Sequence, residues 1–186
     1  MKKRLTIIQM DVHVNDVEYN YTRVQELLSQ SLSENPDIIV LPETWNTGFY
    51  PSKELINIAD RNGDRTQSLL STFAKEHNVN IVGGSVAVAK NDVVFNTSYA
   101  YNREGTLVGE YSKMHGFSPA KEDQYFAGGT HTTHFELDGI PCSTVICYDI
   151  RFPELVRMAA LPNTELLFVP VSYTHLRAHE TRSNLV

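Results

Sequence analysis

Apolar positions along the chain fall into short continuous runs separated by stretches of helical periodicity. "LTIIQM" (5–10) and "DIIVL" (37–41) read as strands, and the amphipathic "NYTRVQELLSQSLSE" (20–34) between them reads as a helix. A strand, an amphipathic helix and a second strand predict a β-α-β unit. The pattern then repeats with a helix over "DRTQSLLSTFAKEHN" (64–78) and a strand or strand pair over "VNIVGGSVAVA" (79–89).

The middle of the chain changes character. "VVFNTSYAYN", "GTLVGEYSK" and "HTTHFELDG" are short extended runs divided by the turn formers "NREG" and "LDGI", which predicts neighbouring antiparallel strands. Beyond them, "IPCSTVICYD" (140–149) reads as a buried strand, "FPELVRMAAL" (152–161) as a helix with Pro153 in its first turn, and "TELLFVPVS" (164–172) as a further strand. The sum is an α/β protein whose strands are often continuously apolar, as when both faces of a sheet are covered.

At 186 residues, one domain is the default. The composition, 41% hydrophobic and 20% charged, is that of an ordinary globular chain, and a formal net charge of -6 argues against a nucleic-acid partner. Lys2 to Arg4 precede an apolar run, but Gln9 and Asp11 interrupt it and no small-residue cleavage site follows, so a first strand is expected in place of a signal peptide. No run reaches membrane-spanning length, and the expected location is cytoplasmic. Two cysteines, Cys142 and Cys147, make no disulfide framework and are predicted on opposite faces of one strand. His131 and His134 are three apart with no third ligand at zinc spacing, so no metal is expected there.

Open α/β sheets place chemistry beyond the carboxyl ends of their strands, and three groups sit at such places. Glu43 follows the apolar run and Pro42, where shielding suits a carboxylate to proton transfer; a surface loop glutamate is the plain alternative. Lys113 ends an extended segment and could stabilise an oxyanion, although most strand-end lysines are simply solvated. Cys147 precedes a charged, proline-containing elbow where backbone N–H groups and a helix terminus favour a thiolate; an inert buried thiol is the alternative. His115 offers a Cys-His pair, but that pairing leaves Glu43 and Lys113 without a role, whereas the three together supply a base, a cation and a nucleophile.

Three stretches, "IIVLPETWNTGF", "GEYSKMHGF" and "VICYDIRFPEL", resemble in chain order the glutamate, lysine and cysteine motifs of the nitrilase superfamily, or carbon-nitrogen hydrolases. "LPETWNTGF" and "CYDIRFPE" look most like its omega-amidase branch. The resemblance implies a four-layer α-β-β-α sandwich with Glu43, Lys113 and Cys147 catalytic, Glu122 orienting the lysine and the Tyr148 N–H supporting the oxyanion. Tyr50 and Arg151 are candidates to hold a substrate carboxylate, with a packed tyrosine and a surface arginine as the plainer readings. The resemblance implies a small amide substrate of the 2-oxoglutaramate or 2-oxosuccinamate type, cleaved through a cysteine thioester with no metal or organic cofactor, and a homodimer in the full-length form. Another amidase of the superfamily, acting on N-carbamoyl amines or aliphatic amides, and a non-catalytic truncated homologue are the alternatives.

Two departures accompany the resemblance. Gly116 stands where many relatives carry leucine, which is expected to alter the pocket beside the lysine loop. The second is the tail: residues 1–172 read as the hydrolase domain, while 173–186, "YTHLRAHETRSNLV", do not resemble the expected continuation. The expectation is therefore a sandwich incomplete at its C-terminus, with an atypical tail.

Overall fold

In the computed structural model, which describes residues 2–161 and 163–172, the chain runs through β1 (Leu5–Ile7), α1 (Val17–Ser31), β2 (Ile38–Val40), α2 (Leu55–Ile58), β3 (Asp60–Arg61) and α3 (Asp64–His77). It continues through β4 (Asn80–Val82), β5 (Val86–Lys90), β6 (Val93–Tyr101), β7 (Leu107–Ser112), β8 (His134–Leu137), β9 (Ile140–Thr144), α4 (Pro153–Ala160) and β10 (Leu166–Phe168).

Helix α1 forms because Tyr21, Val24 and Leu28 recur on one face, all buried, while Asp16 caps the first turn by accepting from the Tyr19 N–H at 3.1 Å. This capping starts the helix three residues before the predicted boundary. Helix α3 buries Leu70, Phe73 and Ala74 and stops at Asn78, whose φ of 51° is left-handed.

Among the described residues the strands form two sheets. In the first, β1, β2 and β4 run parallel, with Ile39 opposite both Thr6 and Ile81. Strands β4 and β5 pair antiparallel with successive stretches of one edge of β6, and β7 takes the opposite edge. The second sheet has the order β10-β9-β8, with β9 and β10 parallel.

Strand periodicity assigns each face to a core. Ile38 and Val82 join Phe135, Leu137, Cys142 and Phe168 between the sheets, whereas Ile39, Leu41 and Ile81 join Val24, Leu28, Leu70 and Phe73 under α1 and α3. Leu155 and Ala159 of α4 cover the outer face of the second sheet with Val145 and Leu167. The order helices, sheet, sheet, helix is the expected four-layer sandwich.

Three expectations change. The run ending in "HFELDG" does not join β6 and β7 but opens the second sheet, because Phe135 and Leu137 are needed to fill the core between the sheets. The strand expected over 140–149 ends its ladder at Thr144, and the chain enters a 3₁₀ turn at Cys147–Arg151. The short elements α2 and β3, whose buried Leu55 packs with Phe126 at the sheet margin, carry too little periodicity to be seen in sequence. The expectation of a tail at 173–186 lies outside the described residues. Among those residues no helix is long and apolar enough to cross a membrane.

Candidate active site

Glu43 lies just past β2, Lys113 just past β7, and Cys147 three residues past β9, all beyond strand carboxyl ends. The glutamate loop is fastened to the break between β4 and β5. Ser85 N–H donates to the Pro42 carbonyl at 3.0 Å, and Trp45 donates from Nε1 to the Gly83 carbonyl at 2.9 Å. Gly84 makes this approach feasible: its φ is +60°, and a Cβ there would fall 1.9 Å from the Pro42 oxygen.

The cysteine is held from the other sheet. Cys147 N–H donates to the Pro170 carbonyl at 2.9 Å, and Glu43 N–H donates to the adjacent Val171 carbonyl at 3.3 Å. Two consecutive residues after β10 thus carry the backbones of both groups. At Cys147 the φ is 48°, an uncommon conformation for a residue with a Cβ, and it turns the thiol out of the extended track. The strand argument that set Cys142 and Cys147 on opposite faces therefore does not apply. Cys142 alone is in β9, buried between the sheets, and both thiols are free.

Lys113, Glu43 and Glu122 meet in one buried cluster. Lys113 Nζ lies 2.8 Å from Glu43 Oε1 and 2.9 and 2.8 Å from the two oxygens of Glu122, with the three residues 4%, 1% and 0% exposed. Burial opposes the ammonium charge, but the two carboxylates outweigh it and hold the lysine well above its ordinary value. Glu122 is itself fixed by the Phe117 N–H, which donates to its Oε2 at 2.7 Å.

Sequence reading missed Asn96. Its Nδ2 donates to Glu43 Oε1 at 3.1 Å and to Glu122 Oε1 at 3.3 Å, while its carbonyl accepts the Lys113 N–H at 2.8 Å. The only sequence signal was a polar residue inside an otherwise apolar strand, "VVFNTSYAY". With Lys113 and Asn96 both on Oε1, Glu43 Oε2 is left buried without a hydrogen-bond partner among the described residues.

That carboxylate acts on the thiol. Burial first, and then the Glu43 charge, push Cys147 up to about 12, against the downward pull of Lys113 and a backbone hydrogen bond from Ser172. Sequence pointed to an elbow that favours a thiolate; burial and the Glu43 charge instead favour the neutral thiol.

The remaining candidates are placed differently. His115 does not pair with Cys147: its Nδ1 lies 2.9 Å from Asp149 Oδ1, and its ring stacks on Phe152 at 3.6 Å. Arg151 is exposed and Tyr50 half-buried, and among the described residues neither has a hydrogen bond to the Glu43, Lys113 and Glu122 cluster. Gly116 lines a cavity of about 120 Å³ with Asn96, Lys113 and Glu122. A Cβ at Gly116 would lie 2.9 Å from the Asp123 nitrogen, so the absent side chain lets the 115–117 loop close on Asp123. Among the described residues no group of three His, Cys, Asp or Glu side chains is placed to hold a metal ion.

The chain is similar over all 186 residues, at 38% identity, to a 2-oxoglutaramate amidase of Bacillus subtilis, of which it spans 71%. It is 30% identical over 184 residues to an omega-amidase NIT2 of Danio rerio, covering 92% of this chain and 64% of that one. Its fold matches the NitN amidase of Nesterenkonia sp. AN1 with a TM-score of 0.81 at 22% identity, over 91% of this chain and 67% of that one. The carbon-nitrogen hydrolase family profile matches residues 4–185, and the chain belongs to that family.

Proposed function

We propose that the protein hydrolyses the terminal carboxamide of a small 2-oxo dicarboxylic acid monoamide, of the 2-oxoglutaramate or 2-oxosuccinamate type, to a carboxylate and ammonia. The observation that carries the chemistry is the buried Glu43 carboxylate with one oxygen locked by Lys113 and Asn96 and the other unpartnered, acting on the neutral Cys147 thiol. The acyl preference is supported by the similarity to the Bacillus subtilis 2-oxoglutaramate amidase.

In this reading Glu43 takes the thiol proton as Sγ attacks the carboxamide carbon. The carbonyl electron pair moves onto oxygen, where Lys113 and the Tyr148 N–H stabilise it. The C–N bond then breaks, the protonated Glu43 returns its proton to the nitrogen, and ammonia leaves a thioester on Cys147. Glu43 next accepts a proton from water as the hydroxide adds to the thioester. Cys147 departs as the thiol and the acid is released. Arg151, exposed four residues past Cys147 and without a carboxylate partner among the described residues, is assigned to the distal carboxylate of the substrate, as is the half-buried Tyr50. A homodimer belongs to the same proposal, supported by the uncovered Ile150, Met158 and Leu161 near the cysteine turn.

Ammonia release from 2-oxoglutaramate, compared with N-carbamoyl amino acids and simple aliphatic amides, tests the reading. Turnover of the oxo acid amide, abolished by Cys147→Ala and with KM raised by Arg151→Gln, is the expected result. Faster turnover of carbamoyl or aliphatic amides would overturn the substrate assignment, and full activity of Cys147→Ala would overturn the mechanism.

A further inference from the structure

We propose that Asp149 is a positioning residue that locks the cysteine turn to the lysine strand and so sets the distance over which the two groups act together. The inference rests on the Glu43, Lys113 and Cys147 chemistry above. Asp149 is fully buried, and each of its oxygens accepts two hydrogen bonds. Oδ2 takes the Tyr111 hydroxyl at 2.7 Å and the Ile146 N–H at 3.1 Å. Oδ1 takes the His115 N–H and lies against His115 Nδ1, each at 2.9 Å.

The positions of these donors are the argument. Ile146 and Asp149 bracket Cys147, so the bond between them closes a small ring around the one residue of the turn with a φ of 48°. Tyr111 and His115 stand two residues before and two residues after Lys113, so the other bonds grip the lysine segment on both sides. One carboxylate therefore joins the backbone around the nucleophile to the backbone around the cation. Rings add to the lock: Phe152 stacks on His115, and Phe117 meets Tyr148 edge-on at 5.0 Å. A buried carboxylate is tolerated here because donors fill both oxygens, and no member of the set touches the Glu43 carboxylate by a hydrogen bond among the described residues.

Asp149→Asn keeps the shape but turns amide hydrogens towards donors whichever way the side chain faces, while Tyr111→Phe removes a single hydroxyl. Both variants are to be compared with wild type for kcat and KM on the best amide substrate, for iodoacetamide alkylation of Cys147 against Cys142, and for melting temperature. Misplacing reacting groups by about 1 Å costs on the order of 100-fold in rate, so Asp149→Asn is expected to lose about that factor in kcat with KM little changed. Tyr111→Phe is expected to lose kcat in the same sense but less, with Cys147 alkylation slowed in both. If Asp149→Asn does not fold, Tyr111→Phe decides alone. Folded variants with wild-type kcat and wild-type Cys147 alkylation would overturn the positioning role and leave the catalytic reading intact. A wild-type Cys147 that alkylates no faster than Cys142 would overturn both.

Discussion

Lys113 Nζ lies 2.8 Å from Glu43 Oε1 in a site where both residues are almost wholly buried, and Glu122 binds the same ammonium at 2.8 Å. Two carboxylates thus share one lysine.

The charge on Glu43 raises the Cys147 thiol and the charge on Lys113 lowers it. Glu43→Gln is therefore expected to move the alkylation pH profile of Cys147 downwards from about 12 while reducing kcat by about 100-fold or more, since the general base is gone. The pH dependence of iodoacetamide labelling, followed by mass of the Cys147 peptide, measures the first effect and ammonia release the second.

Lys113→Met should act in the opposite sense on the thiol and should also threaten the fold. It leaves Glu43 and Glu122 buried together with their shared cation removed, and breaking such a pair costs about 3–5 kcal/mol. Denaturant unfolding of the variant is expected to show that loss, much reduced in Lys113→Met combined with Glu122→Gln.

Asn96 offers the two glutamates a second donor pair that carries no charge. Asn96→Asp would place a third carboxylate against a single ammonium, so stability should fall more than in Asn96→Leu, which only removes donors. Both should lower kcat, and thermal melting separates the two variants.

Gly84→Ala tests the glutamate loop through its support. Because a Cβ would collide with the Pro42 carbonyl and the φ of +60° disfavours it, the loop must move, carrying Glu43 away from Lys113. A kcat loss exceeding the effect on KM is the expected signature, read from steady-state kinetics.

A second ionic cluster lies at the opposite ends of the strands. Arg103 binds Asp138 and Asp37, and Lys3 binds Asp138 at 2.7 Å, tying turns of both sheets together. The Arg103 hydrogen bond, ahead of burial which opposes it, holds the Asp138 carboxyl far below its ordinary range. A carboxyl depressed in the folded state contributes stability in full above its unfolded value of about 3.9 and loses it as pH falls through the folded value. Asp138→Asn should therefore lower stability at neutral pH and flatten its decline in acid, measured by melting temperature from pH 7 downwards, with kcat unchanged.

Much of this was legible in the order of residues. Continuous apolar strands alternating with amphipathic helices marked an α/β protein, and Glu43, Lys113 and Cys147 each followed such a strand. What was not legible depends on contacts between distant segments. Asn96 looks like any polar residue in a strand until β6 is laid beside Lys113, and "HFELDG" carries the same alternation whether it extends the first sheet or opens the second. In sequence His115 was weighed only against Cys147 and Asp149 had no assigned partner, and only the packing of the lysine loop on the cysteine turn joined the two.

Local periodicity thus determined which segments are strands and helices and which polar groups stand at their ends, because side-chain direction follows from backbone period alone. Tertiary structure decided the chemistry of those groups. The raised thiol of Cys147 and the raised ammonium of Lys113 come from burial and from neighbouring charges, and the Lys113–Glu43 and His115–Asp149 contacts bring groups within 3 Å across 70 and 34 positions of sequence. Electrostatic interactions of that kind depend on distance in space and on the exclusion of water, neither of which is encoded by neighbouring residues.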